Sequence, residues 1–154
     1  MTPDYYFEKA KHALHLAANI PLDDAYAFGD DAATADQLAA LVLAGTKTAT
    51  ASGFDVYGPN DQKPFVGEYD VIMNSREEPV CLTITDSVRV VPYLDVDAEH
   101  ARREGEGDCT LASWREVHAA FFKRDYAQAG LKFDPQTAQI LLETFHVVYP
   151  LLSK

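Results

Sequence analysis

Apolar residues along the chain follow two periods. Between residues 4 and 18, Tyr6, Ala10, Ala13, Leu14 and Ala17 recur at three- and four-residue steps, which predicts a helix. A second helix is expected at about 35–44. Thr34 followed three positions later by Gln37 reads as a capping box, Leu38, Leu41 and Val42 form its apolar stripe, and Gly45 suits a left-handed stop. The period then changes to two. Thr46 to Ser52, Tyr69 to Asn74 and Val80 to Val91 read as strands, the last two joined through Ser75–Pro79. Asp97 caps a short helix through Arg103, and Glu104-Gly105-Glu106-Gly107-Asp108 is a loop by its glycines. A long helix opened by Asp108 or Thr110 turns Leu111, Trp114, Val117 and Phe121 inward and stops at Gly130. Ala138 to Tyr149 closes as a strand with Leu141, Phe145, Val147 and Tyr149 on one face.

Strands interrupted by helices without a regular βαβ alternation predict an α+β or small-barrel domain. The 154 residues suffice for a core without disulfide or structural metal, since a chain of this size buries roughly two-thirds of its unfolded surface. The longest apolar run, Leu38 to Ala44, is far short of a membrane span. Met1 to Ile20 is broken by Asp4, Glu8, Lys9 and Lys11 and holds no secretion-type apolar core. Cys81 and Cys109 stand in no metal-binding or redox spacing, so the expectation is a cytoplasmic protein with reduced thiols and no membrane partner.

Charge changes the picture of its partners. The net charge of −11 would repel a polyanion, which argues against duplex DNA. It is unevenly spread: residues 1–50 carry −4, residues 51–100 carry −7, and residues 101–154 balance. An anion site would therefore draw on Arg102, Arg103, Arg115, Lys123 or Arg124, unless these only solvate a helix face.

Three constellations can carry chemistry. Gly45-Thr46-Lys47-Thr48-Ala49-Thr50-Ala51-Ser52 ends a helix and opens a strand. It is no P-loop, because Thr46 separates the glycine from Lys47 and a strand follows. Lys47 and Thr50 fall on opposite faces of an ideal strand, so they converge only if the turn reorients Lys47. Converged, the lysine would hold an anionic oxygen or assist Thr50 as nucleophile; otherwise Lys47 caps the preceding helix. In the loop, Glu104, Glu106 and Asp108 resemble the start of a calcium loop, but Arg115 occupies the required twelfth acidic position. Glu106 and Asp108 remain candidate ligands for Mg²⁺ or Mn²⁺, while helix capping explains Asp108 equally well. Finally Trp114, Arg115 and His118 share a helical stripe near Glu104.

Together these segments resemble a family. Phe28-Gly29-Asp30, Ala35-Asp36-Gln37-Leu38-Ala39, Gly45 to Ser52, Glu104 to Asp108 and Trp114-Arg115 with His118 look like the ASCH family, in matching order from about Ala25 to Tyr149. The resemblance implies a PUA-like fold, a small bent mixed β-barrel with flanking helices, over residues 25–150. Residues 1–24 would then be an N-terminal helical extension packed on the domain. It also implies a protein that handles RNA or modified bases. Two activities have been attached to such proteins: metal-assisted cleavage of single-stranded RNA, and hydrolysis of acetylated cytidine by a lysine, a threonine and a glutamate. Those three residues match Lys47, Thr50 and Glu104, with Ser52, Trp114, Arg115 and His118 the substrate-binding candidates. The lengthened loop Gly105 to Cys109 departs from the smaller members.

The expected partner is single-stranded RNA or a modified nucleoside, since few phosphates then need neutralising. A metal-assisted ribonuclease stands first, an acylcytidine amidohydrolase second, and a non-catalytic RNA or nucleotide binder third. Tyr5, Tyr6 and Phe7 either finish the core or form a homodimer contact.

Overall fold

Helix α1 (Pro3–Leu14) starts where Thr2 accepts the Tyr5 amide and Pro3 fixes the first turn. It ends at His15, which takes the left-handed conformation at φ 55°, so the helix is shorter than its apolar period predicts. The remaining elements are β1 (Asp24–Tyr26), α2 (Ala32–Leu43), β2 (Ala49–Gly53), β3 (Tyr69–Met73), β4 (Pro79–Pro92), α3 (Ala98–Glu104), α4 (Leu111–Gln128) and β5 (Gln139–Tyr149). This computed structural model describes residues 1–151. The five strands form one mixed sheet in the order β1-β3-β4-β5-β2. β1 runs parallel to β3, whereas β3 with β4 and β2 with β5 are antiparallel. The α+β class expected from the sequence is the one observed.

Contacts divide the chain into two compact units. The first takes residues 1–47, 66–86 and 145 onward; the second takes 48–65 and 87–144. Strands β4 and β5 run through both.

In the first unit, Phe7 and Ala10 of α1 pack with Val71 and Leu82. Ala39 and Val42 of α2 pack with Ile72, Cys81 and Phe145. Tyr6 also serves this interior, its hydroxyl donating to the Val80 carbonyl at 3.2 Å, so of the three N-terminal aromatics only Tyr5 is exposed. α2 begins three residues before the predicted start, because Asp31 rather than Thr34 is its cap. The Asp31 carboxylate accepts the Thr34 amide at 2.8 Å and also engages the Thr34 hydroxyl. Gly45 does adopt the left-handed stop, at φ 79°.

In the second unit, α4 packs an aromatic cluster. Trp114, Phe122 and Tyr126 meet Tyr93, Val96, Phe133, Ile140 and Leu142. The expected inward set was partly wrong: Val117 is 58% exposed, while Leu111 and Phe121 are only partly buried. The stripe instead advances in steps of four through Trp114, His118, Phe122 and Tyr126, leaving Val117 about 100° off the buried line. Gly53 is dictated by Tyr126, since a Cβ there would stand 2.5 Å from a ring carbon. Thr110 caps α4 by accepting the Ser113 amide, and Asp108 sits two residues earlier.

Candidate functional site

Glu104 ends α3, a helix capped by Asp97 accepting the His100 amide and stopped by Gly105 at φ 70°. That short helix places His100 and Glu104 on one face, four residues apart, where both are buried. Glu104 is 1% exposed, and a carboxylate so placed persists only when hydrogen bonds replace its water. Three groups do so. His100 Nε2 lies 2.8 Å from Oε2, the Trp114 indole N–H donates to the same oxygen at 2.6 Å, and His118 Nε2 stands 3.3 Å from Oε1. The His118 ring stacks on the Trp114 indole with centroids 4.1 Å apart and planes at 13°. Its Nδ1 faces the Trp114 carbonyl at 2.9 Å.

Two of the three residues expected on one stripe thus meet at Glu104, but Arg115 does not. Its Nη2 donates to the carbonyls of Leu94 and Val96, and its own carbonyl receives the Tyr93 hydroxyl, so it ties α4 to the 3₁₀ turn Tyr93–Asp95. Trp114 is buried between His118 and Tyr93, so its indole serves the carboxylate and offers no open stacking face. His100 escaped the sequence reading. The signal was present, because His-x-x-x-Glu inside a capped helix places both groups on one side.

Lys47 lies in the first unit and is 1% exposed. The turn that follows α2 sets it: the Thr46 and Lys47 amides both donate to the Leu41 carbonyl, and β2 begins only at Ala49. Strand alternation therefore does not govern Lys47, which removes the objection that it must face away from Thr50. Its ammonium lies 5.1 Å from the Phe28 ring centroid, a cation–π distance. A lysine so deeply withdrawn from water is rare without a role.

Thr50 sits in β2 opposite Glu143 of β5, and the pair share a sheet face with Ser52 and Leu141. The Thr48 amide donates to the Arg103 carbonyl at 2.7 Å, fastening the approach to β2 onto the last turn of α3. Ser52 bonds Tyr57 through their hydroxyls at 3.0 Å and lines a separate cavity of about 370 Å³ with Tyr57, Asp61, Gln62 and Asp125. A second cavity of about 240 Å³ is lined by His100, Arg103, Arg89, Ser87 and Thr144.

Glu106 and Asp108 are the candidate metal ligands of the loop. Asp108 Oδ1 accepts both the amide and the hydroxyl of Thr110, and these bonds hold its carboxyl below its ordinary range. No group of three or more His, Cys, Asp or Glu side chains disposed to hold a metal occurs among the described residues. Nor is any helix among them long and apolar enough to cross a membrane.

A helix-flanked mixed sheet of this order, with a buried glutamate at the end of its short third helix, is a PUA-like arrangement. The chain belongs to the ASCH family, whose domain model matches residues 24–149. A crystal structure of an ASCH domain from Lactobacillus crispatus is 30% identical, with a TM-score of 0.86, covering 95% of this chain and 93% of that one. A protein from Enterococcus faecalis is likewise 30% identical, with a TM-score of 0.84 and coverage of 98% and 96%. A search of curated proteins found no match.

Proposed function

We propose that this protein hydrolyses the amide of an acylated cytidine nucleoside without a metal, using Lys47, Thr50 and Glu104. The observation that carries the reading is the Glu104 carboxylate, buried and held by His100, Trp114 and His118. A metal-assisted ribonuclease, the first expectation, finds less support, because no group of three or more His, Cys, Asp or Glu disposed to hold a metal occurs among the described residues and Asp108 is engaged by Thr110. The Thr48–Arg103 hydrogen bond supports grouping Thr50 with Glu104, since it joins the approach to β2 to the residue before Glu104.

In the reaction, the Thr50 hydroxyl adds to the amide carbonyl, its proton passes to the Glu104 carboxylate, and the Lys47 ammonium holds the oxyanion that forms. The carbon–nitrogen bond breaks as Glu104 passes a proton to the departing cytosine amine. Water then opens the threonyl ester, releasing the acid. One water proton returns through Glu104 to the Thr50 oxygen. The sum is amide plus water to acid plus amine.

The test presents purified protein with acetylcytidine and, separately, an unstructured RNA, each with and without a chelator. Turnover of acetylcytidine that survives the chelator and falls at least ~10²-fold in Lys47→Ala and Glu104→Gln is expected. An unchanged rate in Thr50→Ala removes that residue from the mechanism. Chelator-sensitive RNA cleavage in place of deacylation overturns the proposal in favour of the nuclease. A nucleotide-induced change in Trp114 fluorescence with neither substrate consumed overturns it in favour of a binder.

A further inference from the structure

We infer that the cavity of about 240 Å³ beside β4, β5 and α3 is a binding site for a phosphate group, held by Arg89 and Arg103. Strand alternation builds its floor. Ser87 and Arg89 share one face of β4, and Leu142 and Thr144 share one face of the neighbouring β5. The Ser87 and Thr144 hydroxyls bond each other, which fixes the two pairs on the same side of the sheet. Thr50 and Glu143 point to the opposite side, so this cavity is not the place of the proposed hydrolysis. α3 supplies the remaining wall through His100 and Arg103.

The cationic groups here are not spent on the protein. Among the described residues no carboxylate or carbonyl engages the Arg89 guanidinium. The Arg103 side chain gives only its Nε–H, to Glu99 at 3.0 Å, which leaves both terminal amino groups of the fork for a ligand. The acidic lining, by contrast, is occupied. Glu99 also receives two bonds from Arg102, at 3.0 and 2.6 Å, and Asp97 accepts the His100 amide at 2.9 Å. Three guanidiniums thus stand against two carboxylates, an excess of positive charge in a chain whose net charge is −11.

The deepest group is His100, only 3% exposed. Its Nε2 is taken by Glu104, and no described protein group engages Nδ1. Among the described residues the fully enclosed side-chain atoms without a partner are Asp70 Oδ1 and Arg115 Nε, so His100 Nδ1 opens to solvent, and the space its ring borders is this cavity. A deeply placed polar atom that the protein leaves unengaged is where a water or a ligand belongs. The donors converge from three elements, which suits a tetrahedral oxyanion better than a planar carboxylate, and the arginine fork matches phosphate oxygens. The volume is below the ~300 Å³ at which pockets begin to enclose a drug-sized molecule, so the cavity admits a phosphate group and leaves a nucleoside outside. Of the five basic residues the sequence offers for an anion site, only Arg103 lines it, and Arg89 completes it from β4. The site stands independently of the amide-hydrolase reading.

The experiment titrates inorganic phosphate into the ¹⁵N-labelled full chain at constant ionic strength. Shifts should concentrate at the amides of Ser87, Arg89 and Thr144 and at the His100 ring. A His100 ring that does not move overturns the site. Arg89 is exposed, so Arg89→Gln keeps the fold, and it should weaken phosphate ~10-fold through loss of a charged contact. Lys123→Gln removes the same charge from α4 and should change nothing; equal losses in the two variants reduce the effect to net charge and overturn the proposal. Acetate, the planar control, should bind several-fold more weakly, and equal binding overturns the choice of phosphate. Cytidine 5′-monophosphate and a short single-stranded oligoribonucleotide then distinguish the sources of the group. Whichever outbinds inorganic phosphate, and loses that advantage in Arg89→Gln, is the form the site takes. Cytidine itself should not displace phosphate, and displacement by it overturns the assignment.

Discussion

The hydrogen bond from Trp114 to Glu104 can be weighed directly. Trp114→Phe keeps an aromatic ring in the cluster but removes the indole N–H that reaches Oε2 at 2.6 Å. A hydrogen bond to a charged group contributes about 2 kcal/mol net. The lost ring atoms pack against Tyr93 and Phe122 and add about 1 kcal/mol of burial. The variant should therefore lose about 3 kcal/mol, a large share of the 5–15 kcal/mol typical of a domain. With a urea dependence of about 2 kcal/mol/M, the unfolding midpoint falls by about 1.5 M. Trp114 is the only tryptophan, so unfolding is followed by far-ultraviolet circular dichroism. Repeating the change in a Glu104→Gln background separates packing from charge. The packing loss cancels, and the bond to a neutral amide is weaker by about 1 kcal/mol, so the cycle should show a coupling of that size. Losses that add to within about 0.3 kcal/mol would refute the claim that the indole stabilises a buried carboxylate.

Two other changes test separate parts of the structure. Gly53→Ala should destabilise by about 2 kcal/mol, because its Cβ would stand 2.5 Å from Tyr126 and 3.2 Å from Val56; an unaltered melting temperature would show that the ring yields freely. Glu99 is held down from its ordinary 4.5 to about 2 by hydrogen bonds from Arg102 and Arg103. A lowered folded value means stability that is present above pH 4.5 and fades as pH falls toward 2, so Glu99→Gln should flatten that stretch of the acid-unfolding curve.

The fold was legible where local chemistry decided it. Strands β3, β4 and β5 begin and end within a residue or two of the period-two segments, and Asp97, Thr110 and Gly45 act as the helix signals they resemble. Misreadings arose where two signals competed. Asp31 outdid the Thr34 capping box because an ionised side chain is the stronger acceptor. β1, only three residues long, carries too few alternations to show a period and exists through pairing with β3. At the site, the family resemblance singles out Glu104, and the helical spacing of Trp114 and His118 brings both near it. Arg115 shared that spacing, but backbone carbonyls claimed it first, and no pattern in one sequence reveals a carbonyl twenty positions away in the chain.

The chain crosses between its two units at residues 47/48, 65/66, 86/87 and 144/145. Neither half is a continuous stretch, so no single cut liberates an intact one, and an expressed fragment would carry torn pieces of both. The same weave favours reassembly. Two halves of the polypeptide, severed in the loop at 58–63, would each hold strands that only the other can complete, which makes this protein a natural starting point for a split reporter.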